Sequence, residues 1–223
     1  MTALIAVVGL RREARILAAP GLGVVVGGSR PCDLGRAVRD AAAGGARGVF
    51  SFGLAGALDP DLRPGDLVIA DAVALPASTL PCHGPWRESL RRRAPWARGG
   101  TIAGVDIPVP DPAAKARLHG ERGAVIVDME SGAAALAAAE AGLPFVAVRA
   151  VSDGAHRALP AAALAGFGAD GTMDAAAVVR ALMGSPWQIP ALVRTGLEAE
   201  AGFRALRRWR RGGLGPLLGL ADV

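Results

Sequence analysis

With 223 residues, 52% of them hydrophobic and a fifth charged, the chain has material for one α/β domain with a full core, and no shift in composition marks a second. The net charge of +5 is carried almost wholly by arginine, Lys115 being the only lysine; with aromatic residues at 4%, this argues against a nucleic-acid partner read by stacking rings. The two cysteines, Cys32 and Cys82, form no C-x-x-C motif and no cluster with the three histidines, so no metal site is expected.

The apolar runs are broken by Gly, Pro or Arg before membrane-spanning length, and the first residues lack the basic region and cleavage site of a signal peptide. A soluble, cytoplasmic protein is the expectation. Residues 3–8 read as a strand ending at Gly9, followed by a helix with Ile16 and Leu17 inward. Glu13 falls near that strand-to-helix turn, where a first-turn acid suits the helix dipole. Residues 23–28 form a second strand, and the loop 27–31 could bring backbone amides and Arg30 to an anion before a helix at 34–43. Gly21 and Gly23 make no dinucleotide fingerprint, because the next glycine is misplaced.

A third strand is expected over 48–52, then a small-residue loop over 53–57 that permits close approach by a ligand or another backbone. Turn residues lead to a strand at 67–70. The stretch 76–100, with Trp86, Trp96 and three successive arginines at 91–93, reads as irregular: a solvated face or the rim of a substrate site. A strand at 101–105 and a helix at 112–118 follow.

Residues 124–154 are the centre of the pattern. Two apolar runs, 124–127 and 144–151, flank an alanine-rich helix, giving a β-α-β unit whose strands end in Asp128-Met129-Glu130 and Ser152-Asp153-Gly154. Ligands of open α/β sheets collect beyond the carboxyl ends of strands, so neighbouring strands would bring these carboxylates to one crevice, as acid/base chemistry on a sugar bond requires. The plain alternative is that Asp128 and Glu130 cap a helix and Asp153 opens a turn. Residues 156–171 suit a lid, Asp174 an N-cap for a helix to 183, and 189–210 a last helix. The basic end with Trp209 suits either an anionic membrane surface or an exposed helix end.

Four segments, in order, resemble the purine and uridine phosphorylase and nucleosidase superfamily over nearly the whole chain. They are Val8 to Glu13, Phe52 to Leu58 with Gly65-Asp66, Val127 to Ala133, and Phe145 to Asp153. The first is similar to the opening of methylthioadenosine/S-adenosylhomocysteine nucleosidases once one residue is skipped. The wording GLRREARIL and SFGLAGALDPDLRPGDLVIA looks most like the hopanoid-associated phosphorylases, assigned to removing adenine from adenosylhopane in bacterial hopanoid side-chain synthesis.

The resemblance implies a single domain over 1–223 with a twisted, mixed central sheet flanked by helices, 186–223 being a C-terminal helical extension, in a homo-oligomer. It implies that Asp153, supported by Ser152, protonates purine N7, which calls for an apolar, closed site. Glu130 would hold the ribose hydroxyls with Met129 against the sugar, and Glu13 would position or activate a water. Gly53, Ala55, Gly56 and Val127 would line the substrate. The family's Ser or Thr in the glycine loop is Leu54 here, and an arginine used by phosphorylases corresponds to Ser51. Phosphate as co-substrate would therefore need Gly28, Ser29, Arg30 or a neighbouring subunit, and hydrolysis stays open; no other cofactor is implied. A lipid-linked nucleoside implies peripheral contact with the inner membrane surface, with Trp86, Trp96, the 156–171 segment and the C-terminus as its apolar mouth. The competing activities are a methylthioadenosine/S-adenosylhomocysteine nucleosidase and a non-catalytic nucleoside-binding protein.

Overall fold

A computed structural model describes residues 4–27, 31–166, 171–172, 174–212 and 220. The elements are, in chain order, β1 (Leu4–Val8), α1 (Arg11–Leu17), β2 (Leu22–Val26), α2 (Pro31–Ala43), β3 (Val49–Ala57), β4 (Leu67–Ile69), β5 (Ala72–Ala74), β6 (Thr79–Pro81), α3 (Gly84–Arg93), β7 (Thr101–Gly104), α4 (Pro112–Arg122), β8 (Ala124–Asp128), α5 (Ser131–Glu140), β9 (Phe145–Asp153), α6 (Ala161–Ala165), α7 (Ala175–Gly184) and α8 (Ile189–Arg211). The strands join in one mixed sheet, in the order β2-β1-β3-β8-β7-β5-β6, with β9 on β3 and β4 on β9.

Every residue of β1 and seven successive residues of β9, Phe145 to Val151, are buried, the pattern of strands covered on both faces. β3 organises the sheet. It runs parallel to β1 over residues 49–51 and parallel to β9 along its length, and its last two residues pair antiparallel with β8. The expected loop at 53–57 is therefore strand: its small residues fit between close-packed neighbours while keeping ladder pairing. The expectation that β8 and β9 are adjacent also fails. They flank β3, so Gly56 pairs with Val127 on one side and with Asp153 on the other.

The stretch read as irregular contains β6 and α3, and its basic residues are partly engaged: Arg87 and Arg91 both bond Asp71, at 3.1 and 3.0 Å. Trp86 is fully buried on Phe50, with ring centroids 5.9 Å apart, so it belongs to the core and to no substrate rim. α8 is likewise part of the core and not an appendage. Phe203, Leu206 and Trp209 are buried, and Trp209 lies 5.7 Å from Phe50 and 5.6 Å from Phe52. Burying side chains of this size contributes roughly 1.5–3 kcal/mol each. Among the described residues no helix is long and apolar enough to cross a membrane.

Candidate active site

Beyond the carboxyl ends of β1, β3, β8 and β9 lies a cavity of about 1020 Å³. Glu13, Ala55, Gly56, Val127, Met129, Glu130, Ser152 and Asp153 line it, joined from the other side by Leu159, Leu164, Val178, Leu192 and Phe203. The residues singled out from four separate stretches of sequence thus meet in one place.

Glu13 is buried at the start of α1. Its Oε2 accepts from the amides of Gly9 at 2.9 Å and Leu10 at 2.8 Å, while Oε1 accepts from the Leu54 amide at 2.8 Å. Burial raises its pKa above the ordinary value, opposed by the charge of Arg149 and by these three amides. Gly53 does not face the cavity; it makes room for the carboxylate. A Cβ there would lie 2.6 Å from Glu13 Oε1 and 2.5 Å from Arg149 Nη1. Gly9 does the same for Glu130, whose Oε1 would be 2.5 Å from an added Cβ.

Glu130 keeps 14% side-chain exposure, through the cavity it lines. Burial pushes its pKa up to about 8; Arg149 opposes this, and Asp128 and Glu13 add to it. Arg149, wholly buried in the middle of an apolar strand, is the counter-charge that the sequence reading overlooked. Its Nε lies 2.5 Å from Asp128 Oδ2, and its Nη2 donates to Ser51 at 2.7 Å and stands 3.5 Å from Glu130. Burial lowers the pKa of Arg149, but the three carboxylates outweigh that and the net shift is upward. An arginine interrupting the run from Phe145 to Val151 was the available signal, since a buried charge requires partners. Asp128 also caps α5, accepting from the Ser131 amide at 3.1 Å and its hydroxyl at 2.5 Å, so here the plain reading describes a real contact.

Asp153 is buried, but its surroundings are not the apolar ones expected. Oδ2 accepts from the ammonium of Lys115 at 2.5 Å, and Oδ1 accepts from the Ser152 hydroxyl at 2.6 Å. The Ala55 carbonyl, 3.1 Å away, is the alternative acceptor for that hydroxyl. Gly28, Ser29 and Arg30, assigned to phosphate, lie outside the described residues. Trp96 is exposed and lies under Arg208, away from the cavity lining.

A family model described as the phosphorylase superfamily matches residues 28–183, well over half of the chain. The chain belongs to the phosphorylase superfamily. Solved structures share the fold of this superfamily member at low identity. Streptococcus pneumoniae MTA/SAH nucleosidase in complex with 8-aminoadenine has 17% identity and a TM-score of 0.68, covering 97% of this chain and 99% of its own. Futalosine hydrolase of Helicobacter pylori has 17% identity and a TM-score of 0.66, covering 100% and 98%. A mutant of Helicobacter pylori MTAN with 5′-methylthioadenosine in its active site has 17% identity and a TM-score of 0.65, covering 94% and 98%. A search of curated protein sequences gives no match. The single-domain mixed α/β fold and the phosphorylase/nucleosidase enzyme class expected from the sequence therefore stand.

Proposed function

We propose that the protein cleaves the N-glycosidic bond of a 5′-substituted adenosine, releasing adenine, by hydrolysis, and that its substrate is adenosylhopane. The observation that carries this reading is the convergence of Glu13, Glu130 and Asp153 on one cavity, which supplies acid, base and sugar-holding groups around a single bond.

Glu13 is the partner of the attacking water. Three amides fix its carboxylate, two on Oε2 and one on Oε1, which leaves a lone pair on Oε1 for a water at the anomeric carbon. Glu130 accepts from the ribose hydroxyls, and Met129 packs on the sugar. Asp153 meets the purine, where it assists departure of adenine by delivering a proton to N7. Hydrolysis is favoured over phosphorolysis because the amides of the β1–α1 turn, which would otherwise attract an anion, are already bound to Glu13. Arg149 and Lys115 are also committed to carboxylates.

A bulky apolar 5′ group is supported by the size and lining of the cavity. Its volume stands at the upper end of the ~300–1,000 Å³ usual for small-molecule sites. Ala163 and Leu164 on α6, Val178 on α7, and Leu192 and Phe203 on α8 give it an apolar wall. Outside that wall, Val179, Met183, Trp187, Ile189, Val193 and Leu197 are exposed, a face suited to peripheral contact with the inner membrane surface or to a homo-oligomer. Adenine release from adenosylhopane in detergent, with and without phosphate, tests the proposal. Efficient cleavage of 5′-methylthioadenosine with none of adenosylhopane would replace it by the smaller substrate. Binding of adenosine analogues without adenine release would make the protein a binding module.

A further inference from the structure

Lys115 is the only lysine among 25 basic residues, and it is one of the most deeply buried side chains of the protein. It stands in the first turn of α4, after the N-cap Asp111, and reaches the far end of β9. Its ammonium donates three hydrogen bonds: to Asp153 Oδ2 at 2.5 Å, to the Gly154 carbonyl at 3.1 Å and to the Arg157 carbonyl at 3.1 Å. Three N–H groups meet three acceptors, so the socket is built for the ammonium and excludes solvent from it. Asp153 lines the cavity, whereas Lys115 does not, so any effect of Lys115 on a ligand passes through Asp153.

A structural strap between α4 and the turn after β9 could be made by arginine, which offers more donors in a fixed fork and is the basic residue used everywhere else in this chain. What arginine cannot do is release a proton, and lysine can. The position is thus the one place where the chain departs from arginine, and it is behind the carboxylate that faces the purine. We propose that Lys115 is the proton store for Asp153, so that the two residues deliver one proton to the departing base.

This rests on the nucleoside-cleaving reading above. In the resting site the pair is ammonium and carboxylate. An Nζ–H bond breaks as an O–H bond forms on Oδ2, leaving a neutral amine and a carboxylic acid. The O–H then breaks as N7–H forms, while the electron pair of the glycosidic bond moves into the purine. Water adds to the anomeric carbon and loses its proton to Glu13. That proton returns by way of Asp153, which lines the cavity, to Lys115 and restores the ion pair, and the net change is addition of one water.

Lys115 is a positioning residue in this scheme, and its contribution should depend on the leaving group. In Lys115→Arg and Lys115→Met, adenine release from adenosylhopane should fall about 100-fold, the low end of general-acid effects. Cleavage of 4-nitrophenyl riboside, whose leaving group departs without a proton, should change less than about threefold. Equal losses on both substrates, or no loss on either, would overturn the proposal and leave Lys115 a strap. Folding defects are separated by a second readout on the unsubstituted Lys115: with one lysine, 15N-lysine labelling gives a single side-chain signal. The pH titration of that signal should change in Asp153→Asn, and adenine should perturb its charge state where 7-deazaadenine, lacking N7, does not. A titration indifferent to Asp153→Asn would overturn the proposal. If neither base binds and the wild type cleaves no nucleoside while that coupling is present, the nucleoside reading fails and the proton-holding pair stands.

Discussion

The Leu54 amide donates to Glu13 Oε1 at 2.8 Å, tying the middle of β3 to the first turn of α1. The Leu54 backbone does the positioning, while its side chain is turned toward α8, close to Gly202. The bond fixes Glu13 between two strands, which is the condition for aligning a water.

Glu13→Gln should therefore keep the fold and lose turnover. The glutamine oxygen still accepts an amide, but the basic oxygen is gone, and a loss of ~10²–10⁴ in kcat is expected for a removed general base. Steady-state kinetics beside a thermal melt would check it; a loss below tenfold would remove Glu13 from the chemistry.

Glu130 predicts a pH dependence of stability. Its folded pKa is raised to about 8 from an ordinary 4.5, so between those values the folded state holds a proton that the unfolded chain has released. Stability from this group is full below the unfolded value and declines as pH rises toward about 8. Glu130→Gln should flatten that slope, giving a melting temperature that gains on the wild type as pH rises from the acid side of the window to the alkaline side. Parallel curves for the two proteins would contradict the assignment.

Arg149 holds the floor of the site. Arg149→Met leaves Asp128 buried with no cation, and breaking such a pair costs about 3–5 kcal/mol. Denaturant unfolding should show that loss, with Asp128→Asn in the same chain restoring part of it because the unpaired charge is then removed. No recovery in the double variant would show that the two residues contribute independently.

The exposed apolar residues of α7, α8 and the turn between them carry a prediction about substrate delivery. Met183, Trp187 and Leu197 are 79%, 74% and 66% exposed. Replacing all three by serine should slow adenine release from adenosylhopane in anionic vesicles and spare turnover in detergent, as measured by initial rates. Truncation after Phe203 is no test of membrane contact, since it removes Leu206 and Trp209 from the core.

Much of this site was legible in the sequence because strand ends are punctuated by polar residues. Glu13, Glu130 and Asp153 each follow or end an apolar run, and that position is what delivers them to the sheet's carboxyl edge. What periodicity could not carry was pairing across the sheet. Gly53 to Ala57 looks like a loop because it lacks bulk, yet the small residues are what let Glu13 and Arg149 approach β3. Interposing β3 between β8 and β9 is a long-range fact with no local signature. Arg149 and Lys115 were visible as oddities, a cation in an apolar strand and a single lysine, but their side-chain partners lie 18 or more residues away in sequence. Trp86 was misplaced because an irregular-looking, basic stretch conceals the helix that buries it.

Hydrolysis of the nucleoside can be measured by incubating the purified protein with adenosylhopane in detergent and following free adenine and the sugar product with and without phosphate. Adenine should form at the same rate in both, with a free reducing sugar as co-product. Adenine formed only with phosphate, alongside a ribose 1-phosphate product, would contradict hydrolysis through Glu13; no adenine from any 5′-substituted adenosine would contradict the account as a whole.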